Sequence, residues 1–461
     1  MKVVEGLFGN LADLLWGNWM LVLLLGLGVF YTGMTGGIQI RGIPGIVREL
    51  GRKNGRRNQS GDNGQGADPG EGKGLSSMQA LCTAIASCVG SGNIVGVATA
   101  LIAGGPGALL WMWAAAFLGM ATKYGEIVLG ICYREREEDG MYVGGPMYYI
   151  AYAMHAPWMG TIAAVLLFIQ NAGATLIQSN TIASVAQEVY SFPTICTGLL
   201  LAVLMSFVIR GGLKRLAGVA QRIVPVMAGL YICGGLVVVL ANLEGLLPML
   251  KSVIQGAFSL QAGMGAAVGV TVREAMRYGV ARGLYSNEAG EGSAAVIHSS
   301  ARVDTPARQG LYGVVEVFVD TIVICSTTGF AILSSGLDLE SASAATLAAN
   351  AFGTVFPAFK YVVSVSLILF AATSIMSQWY FGHVSLTYMK SKKGDRIYRF
   401  LFPLLILCGS LSSVGMVWSI QDCMLGLLII PNVAALVILS PQVRRMTKEF
   451  FRMNEEENHC G

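Results

Sequence analysis

Long apolar runs separated by short polar connections dominate this chain. No Asp, Glu, Lys or Arg occurs within 14–40, 74–122, 252–272, 361–389 or 400–421. A membrane-spanning helix needs about 20 apolar residues, so each of these windows holds one span or two. Apolar runs bounded by charged or turn-rich segments predict about eleven helices, near 16–39, 78–103, 107–131, 158–187, 195–209, 219–241, 253–272, 309–335, 359–389, 398–416 and 420–440. Residues 1–13 lack a basic region followed by a cleavable apolar core, so no signal peptide is expected. They read as a short amphipathic helix at the membrane interface.

Composition agrees with the pattern. The 461 residues are 54% hydrophobic and 13% charged, about half the roughly 25% of a soluble domain. The small positive balance does not point to nucleic acid, because the basic residues sit in short connections between spans. The odd-numbered connections carry them: 41–57, Arg134 and Arg136, 210–215, 273–308, 390–399 and the segment from Arg444. The even-numbered ones are poor in base. Lys and Arg favour the cytoplasmic side, which predicts a multi-pass membrane protein with its N-terminus outside and its C-terminus in the cytoplasm; a prokaryotic plasma membrane is the expected location. The expected organisation is an interfacial helix and first span over 1–40 and a cytoplasmic loop over 41–77. Two five-helix sets follow over 78–241 and 242–440, then a tail over 441–461. Within the loop, 51–74 is rich in Gly, Asn and Asp and reads as a flexible linker. Its Gly70-Glu-Gly-Lys-Gly lacks the first glycine and the Ser or Thr of a phosphate-binding loop. Nine cysteines form no CxxC pair and read as packing residues.

One local pattern occurs twice. Gly90-Ser-Gly92-Asn-Ile-Val-Gly96 and Gly263-Met-Gly265-Ala-Ala-Val-Gly269 both follow G-x-G-x-x-x-G, each inside the first span of a five-helix set. Small residues at this spacing also serve plain helix packing. Glycine costs about 1 kcal/mol against alanine inside a helix, and paired interruptions at corresponding positions of two halves mark a transporter's binding site. A set with an odd number of helices forces the next set to be inverted. A broken helix exposes N–H groups at one half-helix end and carbonyls at the other. The first suits a carboxylate, the second an ammonium group or Na+. Ser91 and Asn93 add side-chain oxygens.

Further polar residues stand in apolar spans. Thr373 and Ser374 are adjacent hydroxyls that either complete an oxygen shell around Na+ or bond back to their own helix. Gln178 and Asn180 either bind substrate or bridge helices. Glu316 and Asp320, four residues apart, share one helix face, and a carboxylate in mid-membrane is a functional candidate. Lys123 and Glu126 read as an internal ion pair. Four histidines without metal-ligand spacing and no nucleophile motif argue against an enzyme, and no cofactor is expected.

The stretch 82–134, opening CTAIASCVGSGNIVG, and GVARGLYSNEAGEGSAAVIHSSARVDTPARQG over 279–310 resemble the signatures of the alanine or glycine:cation symporters. The resemblance implies an all-α polytopic membrane protein of the inverted-repeat leucine-transporter type, with one extra N-terminal helix before a 5+5 repeat. It implies a sodium site made by the carbonyls of Ala86 and Val89 with the hydroxyls of Thr373 and Ser374. It implies that Gly90, Ser91, Gly92 and Asn93 hold the charged groups of the substrate, facing Gly263 and Gly265, and that Gln178 reaches it. Two positions depart from the family pattern, which commonly has an apolar residue at Glu291 and often Gly-Trp where Ser377-Gln378 stands. Glu291 is expected on the cytoplasmic side.

The expected activity is therefore symport of sodium with a small neutral amino acid, alanine or glycine. A proton-coupled carrier using Asp320 and a non-transporting amino-acid sensor are the alternatives.

Overall fold

The structure, a computed structural model, describes residues 2–51, 74–138, 140–258, 272–339, 343–412 and 414–460. The linker 52–73 and the second glycine motif, with Gly263 and Gly265, lie outside the described residues. Helix α1 (Lys2–Leu15) leads into the extra span α2 (Asn18–Thr35). Two short helices, Ile38–Arg41 and Ile43–Gly51, close this part.

The first five-span set opens with α3 (Ser77–Cys88), a π-helical turn (Gly92–Gly96) and α4 (Val97–Gly104). The two halves bend by 52° at the break. Ser76 starts α3 with a reciprocal cap: its hydroxyl accepts from Gln79 N at 3.2 Å, and its own N–H donates to Gln79 Oε1 at 3.0 Å. Next come α5 (Gly107–Cys132), the short α6 (Pro146–Ala153), α7 (Pro157–Tyr190), α8 (Thr194–Ile209) and α9 (Gly212–Ala241). The hairpin of β1 (Glu135–Arg136) and β2 (Tyr142–Val143) joins α5 to α6.

After α10 (Leu243–Phe258), the second set opens with its own broken helix, α11 (Val272–Asn287) and α12 (Ser293–Ser299). It continues with α13 (Pro306–Val317), a π-helical turn (Phe318–Cys325), α14 (Ser326–Ser334), the short α15 (Ala344–Gly353), α16 (Phe359–Tyr388), α17 (Lys392–Leu411) and α18 (Val414–Cys460). Each set thus has a broken first span and a short helix between its second and third. The last helix continues past 440 through the residues read as a tail.

The two broken helices lie antiparallel, as an inverted repeat requires. Leu75, before α3, exchanges backbone hydrogen bonds with Ser300 and Arg302 beyond α12, at 2.9 and 2.8 Å. At the other end Gly104 abuts Ala275 and Tyr278 at the start of α11. Along α5, the register of α11–α12 is set by small residues: Gly283 faces Met112, Gly119 faces Ala289 and Gly130 faces Ala295. In hydrocarbon, apolar helices gain little by hiding from lipid, so such close approach supplies the packing.

This geometry corrects the expected seventh span. Residues 253–272 were to cross and 273–308 were to form a basic cytoplasmic connection. Instead α10 ends against the start of α5, where Gly107 meets Gly256 and Ala257. The arginine-bearing α11 enters the bundle because two of its three arginines are covered, while Arg273 stays exposed at its start. Arg277 pairs with Asp13 at 2.6 Å, and Arg282 lies 3.5 Å from Asp422 and 4.8 Å over the Trp418 ring. Only Arg302 and Arg308 remain at the end shared with Arg134. Among the described residues, seven helices are long and apolar enough to cross, and the bent pair α3–α4 makes an eighth. The shorter α8 and α17 and the polar α11–α12 bring the spans to eleven.

The extra span is keyed by one side chain. Tyr31 lies on Gly125 of α5, and its hydroxyl donates to Leu436 O of α18 at 2.8 Å. A Cβ at Gly125 would collide with the Tyr31 ring, whereas Gly26 on the same span has open space beside it. Gly125→Val is expected to destabilise the protein by about 1–3 kcal/mol through overpacking and Gly26→Val to leave it unchanged. Thermal unfolding in detergent reads the difference, and equal midpoints for the two variants would refute this seating of α2.

Candidate functional site

The first break begins where Val89 turns extended, with φ −74° and ψ 99°. Two N–H groups lose their helical acceptors there and find side chains. Gly90 N donates to Asn93 Oδ1 at 2.9 Å, and Ser91 N donates to Gln178 Oε1 of α7 at 3.0 Å. A Cβ on Gly90 would stand 2.6 Å from both Gln178 Nε2 and Ser374 Oγ, so only glycine fits. The carbonyls freed at the end of α3 point to α16. Ser374 Oγ lies 3.3 Å from Ala86 O, 3.2 Å from Val89 O and 3.1 Å from Phe370 O of its own helix. The neighbouring Thr373 hydroxyl donates to Phe370 O at 2.9 Å. Ala86, Val89 and Ser374 therefore converge, with Thr373 beside them but bonded back to its helix. Of the two α7 carboxamides, Gln178 reaches the break, while Asn180 bridges to α17 through Gly409 O and Ser412 O, at 3.3 and 2.7 Å.

Asp320 ties this break to the second set. It sits in the π-helical turn Phe318–Cys325, whose wider bore redirects side chains. Its carboxylate accepts from Asn93 Nδ2 at 2.6 Å, Ser286 Oγ at 2.9 Å and Thr321 Oγ1 at 2.8 Å. The Asn93 amide is thus fixed at both ends: the nitrogen on Asp320, the oxygen on Gly90 N. Ser286 and Tyr285 of α11 are the described residues facing Gly92. Sequence reasoning missed both, although they lie in the 279–310 motif, because the arginines around them placed that stretch in a loop.

The second break, between α11 and α12, has three residues at positive φ: Glu288 (55°), Gly290 (98°) and Gly292 (82°). Its open backbone groups are met by buried polar side chains. Lys123 Nζ donates to Asn287 O. Gly292 N donates to Glu126 Oε1 at 2.9 Å, and Asn432 Nδ2 donates to Gly290 O and Glu126 Oε1, both at 2.7 Å. Lys123 does not pair with Glu126 as expected. It lies 2.7 Å from Glu316 Oε1, and His298 Nε2 lies 3.0 Å from Glu316 Oε2. Two carboxylates, on α5 and α13, thus divide the work: Glu316 neutralises Lys123, and Glu126 caps the start of α12. Glu291, expected in a cytoplasmic connection, is instead 3% exposed within this break. Ser377, on α16, donates to Thr373 O at 3.5 Å, and Gln378 beside it is buried.

Both breaks are sealed. Ser91, Asn93, Ser374 and Asp320 have no exposed surface. Beyond Gly92, the Tyr285 and Trp418 rings meet tilted at 48° with centroids 4.9 Å apart, and the Arg282–Asp422 pair lies over them beside a cavity of about 60 Å³ that Asp13, Trp16 and Arg277 also line.

A family model of the sodium:alanine symporter family matches residues 1–460. The chain is 37% identical over 463 residues to the sodium/alanine symporter AgcS of Methanococcus maripaludis, covering 98% of this chain and 99% of that one. It is 34% identical to the amino-acid carrier protein AlsT of Bacillus subtilis, covering 98% and 94%. Among solved structures, MhsT in complex with L-phenylalanine superposes with a TM-score of 0.57 at 12% identity, over 82% of this chain and 99% of that one. The last likeness speaks to fold alone. With eleven spans and two side-chain-capped breaks, this is a multi-pass carrier and not an enzyme, and the chain belongs to the sodium:alanine symporter family.

Proposed function

We propose that this carrier couples sodium influx to uptake of a small neutral amino acid, alanine or glycine. One observation carries the reading: the first break presents two backbone N–H groups and two carbonyls at a single buried point. The N–H groups of Gly90 and Ser91 rest on amide oxygens of Asn93 and Gln178, which a substrate carboxylate replaces at the same donors. The carbonyls of Ala86 and Val89, with Ser374 and its neighbour Thr373, supply hard oxygens for Na+. No charged side chain is needed to bind a zwitterion here, which spares the cost of an ion in hydrocarbon. A Cβ on Gly90 or Gly92 would already crowd Gln178, Ser374 and the Tyr285 ring, and this tight packing favours a cargo with a short side chain.

Coupling follows from adjacency. Ala86 and Val89 lead directly into Gly90 and Ser91, so an ion that fixes the carbonyls also sets the N–H groups, and the resulting linkage is reciprocal. Asp320 acts as a positioning residue by holding the Asn93 amide. Alternation requires the seal of Arg282, Asp422, Tyr285 and Trp418 to open on one side and the α3–α12 end on the other. Arg134, Arg302, Lys392 and Arg444 share that second end, which we take as cytoplasmic.

Radiolabelled alanine uptake into proteoliposomes tests the reading, with inward gradients of sodium, potassium or protons. Accumulation with sodium alone is expected; accumulation with protons alone would move coupling to Asp320. Ser374 Oγ would ligate the ion through its oxygen, a contact taken to be of the same order as a hydrogen bond to a charged group, about 1.5–3 kcal/mol. Ser374→Ala is therefore expected to raise the sodium concentration for half-maximal uptake about tenfold or more. An unshifted sodium activation curve would remove Ser374 from the ion site. Gln178→Leu strips a partner from the substrate side instead. It is expected to raise the alanine KM about tenfold with little change in maximal rate, and a fall in rate at constant KM would count against direct contact.

A further inference from the structure

The second break carries more acid than base. Lys123 is matched by Glu316. His298 accepts from Gln309 Nε2 on Nδ1 at 2.8 Å and is turned through Nε2 to Glu316, not to the turn between α11 and α12. Three further carboxyls, Glu126, Glu288 and Glu291, then share one buried turn with no cation of their own among the described residues. The other groups nearby add no free positive charge: Tyr285 on α11 faces Glu291, Tyr149 on α6 faces Glu126, and Asp422 is already opposite Arg282. Several bare carboxylates in such a place would each cost several kcal/mol.

Hydrogen bonding decides which one is neutral, because donors favour the charged form. Glu126 Oε1 receives Gly292 N and Asn432 Nδ2. Glu288 Oε2 receives Ser293 Oγ at 2.6 Å. Glu291 has only Gln170 Nε2, at 3.4 Å. A second observation points the same way. Gln170 Oε1, on a side chain that is 4% exposed, has no hydrogen-bond partner, and neither does Glu126 Oε2. Orphaned acceptors call for a missing donor. Half a turn of the Gln170 amide exchanges its nitrogen for oxygen and brings that acceptor to the Glu291 carboxyl. A metal ion does not meet the need: it wants several oxygens converging, whereas Lys123, Asn432 and Gly292 N present N–H groups to this turn.

We propose that the second break is a proton-binding site centred on Glu291, with Gln170 of α7 accepting the hydrogen bond from the protonated carboxyl. In the step, the Glu291 carboxylate takes one proton from hydronium in the solvent, leaving water, to give the neutral acid, whose O–H donates to Gln170 Oε1. The closed bundle described above holds the proton. Hydration of the turn when the α12 end opens releases it, so acidity favours closure. The site lies on a different helix break from the ion and substrate groups and adds to the symport reading an independent dependence on pH.

Infrared difference spectroscopy of the full-length protein in lipid nanodiscs, stepped in pH without sodium or amino acid, tests the site. The wild type is expected to show a protonated-carboxyl band that is lost in Glu291→Gln. Gln170→Met leaves Glu291 in place and is expected to shift the same band by removing its hydrogen-bond partner, which keeps the test open if the first variant folds poorly. A band unmoved by either change, or no such band in the wild type, overturns the proposal. In proteoliposomes, sodium-driven uptake by Glu291→Gln is expected to lose the pH dependence of the wild type; superimposable pH profiles would also overturn it. Absence of uptake by the wild type would instead fall on the symport reading, since the infrared measurement needs no cargo.

Discussion

Within hydrocarbon, a helix can be broken only where side chains take over the hydrogen bonds that its backbone loses. An unsatisfied buried N–H or C=O costs about 1–3 kcal/mol, and no water is at hand to relieve it. Each break in this carrier obeys that constraint with a different chemistry. At the first, neutral amides serve, Asn93 for Gly90 N and Gln178 for Ser91 N. At the second, charged groups serve, Lys123 for Asn287 O and Glu126 for Gly292 N. Neutral caps are exchangeable for a ligand at little electrostatic cost. Ionic caps are not, since removing one partner strands the other in a low-dielectric interior. The first break is thus suited to bind and release cargo, and the second to hold shape.

Asp320 joins the two. Its oxygens receive Asn93 from the first break and Ser286 from the end of α11, the last turn before the second. One π-helical turn places it, and Glu316 four residues earlier reaches Lys123 from the same face. A shift of α11 relative to α3–α4 therefore passes through a single carboxylate to the amide that caps Gly90. Such a link is a chain of discrete contacts with two ends, which is the physical requirement for coupling between sites.

Much of this was legible in the chain. The apolar windows gave ten of the eleven spans near their observed places, and the Gly90-Ser-Gly92-Asn stretch marked the first break through the cost of glycine in a helix. The carbonyls of Ala86 and Val89, Gln178 and Ser374 lie together at that break, with Thr373 beside them but bonded to its own helix. What failed was α11. Its arginines at 273, 277 and 282 read as a cytoplasmic connection because hydropathy counts each charge as though it stood alone in lipid. In the fold Asp13, Asp422 and Trp418 cover two of them, from segments more than a hundred residues away. Covering partners that distant leave no periodic signal. The same blindness hid Tyr285 and Ser286, and it paired Lys123 with its sequence neighbour Glu126 in place of Glu316.

The misplaced helix also changes what Glu291 means. In a cytoplasmic loop an additional glutamate is a solvated charge of little consequence. In the turn between α11 and α12 it stands beside Glu288 and within reach of Glu126, where Lys123 is already committed to Glu316. Its weak contact with Gln170 leaves it less well supported than Glu126 or Glu288. A residue that strains the charge balance of a closed state, yet relaxes when water enters, biases the equilibrium between closed and open forms without touching cargo. Position in the fold, more than residue type, gives this glutamate its chemistry.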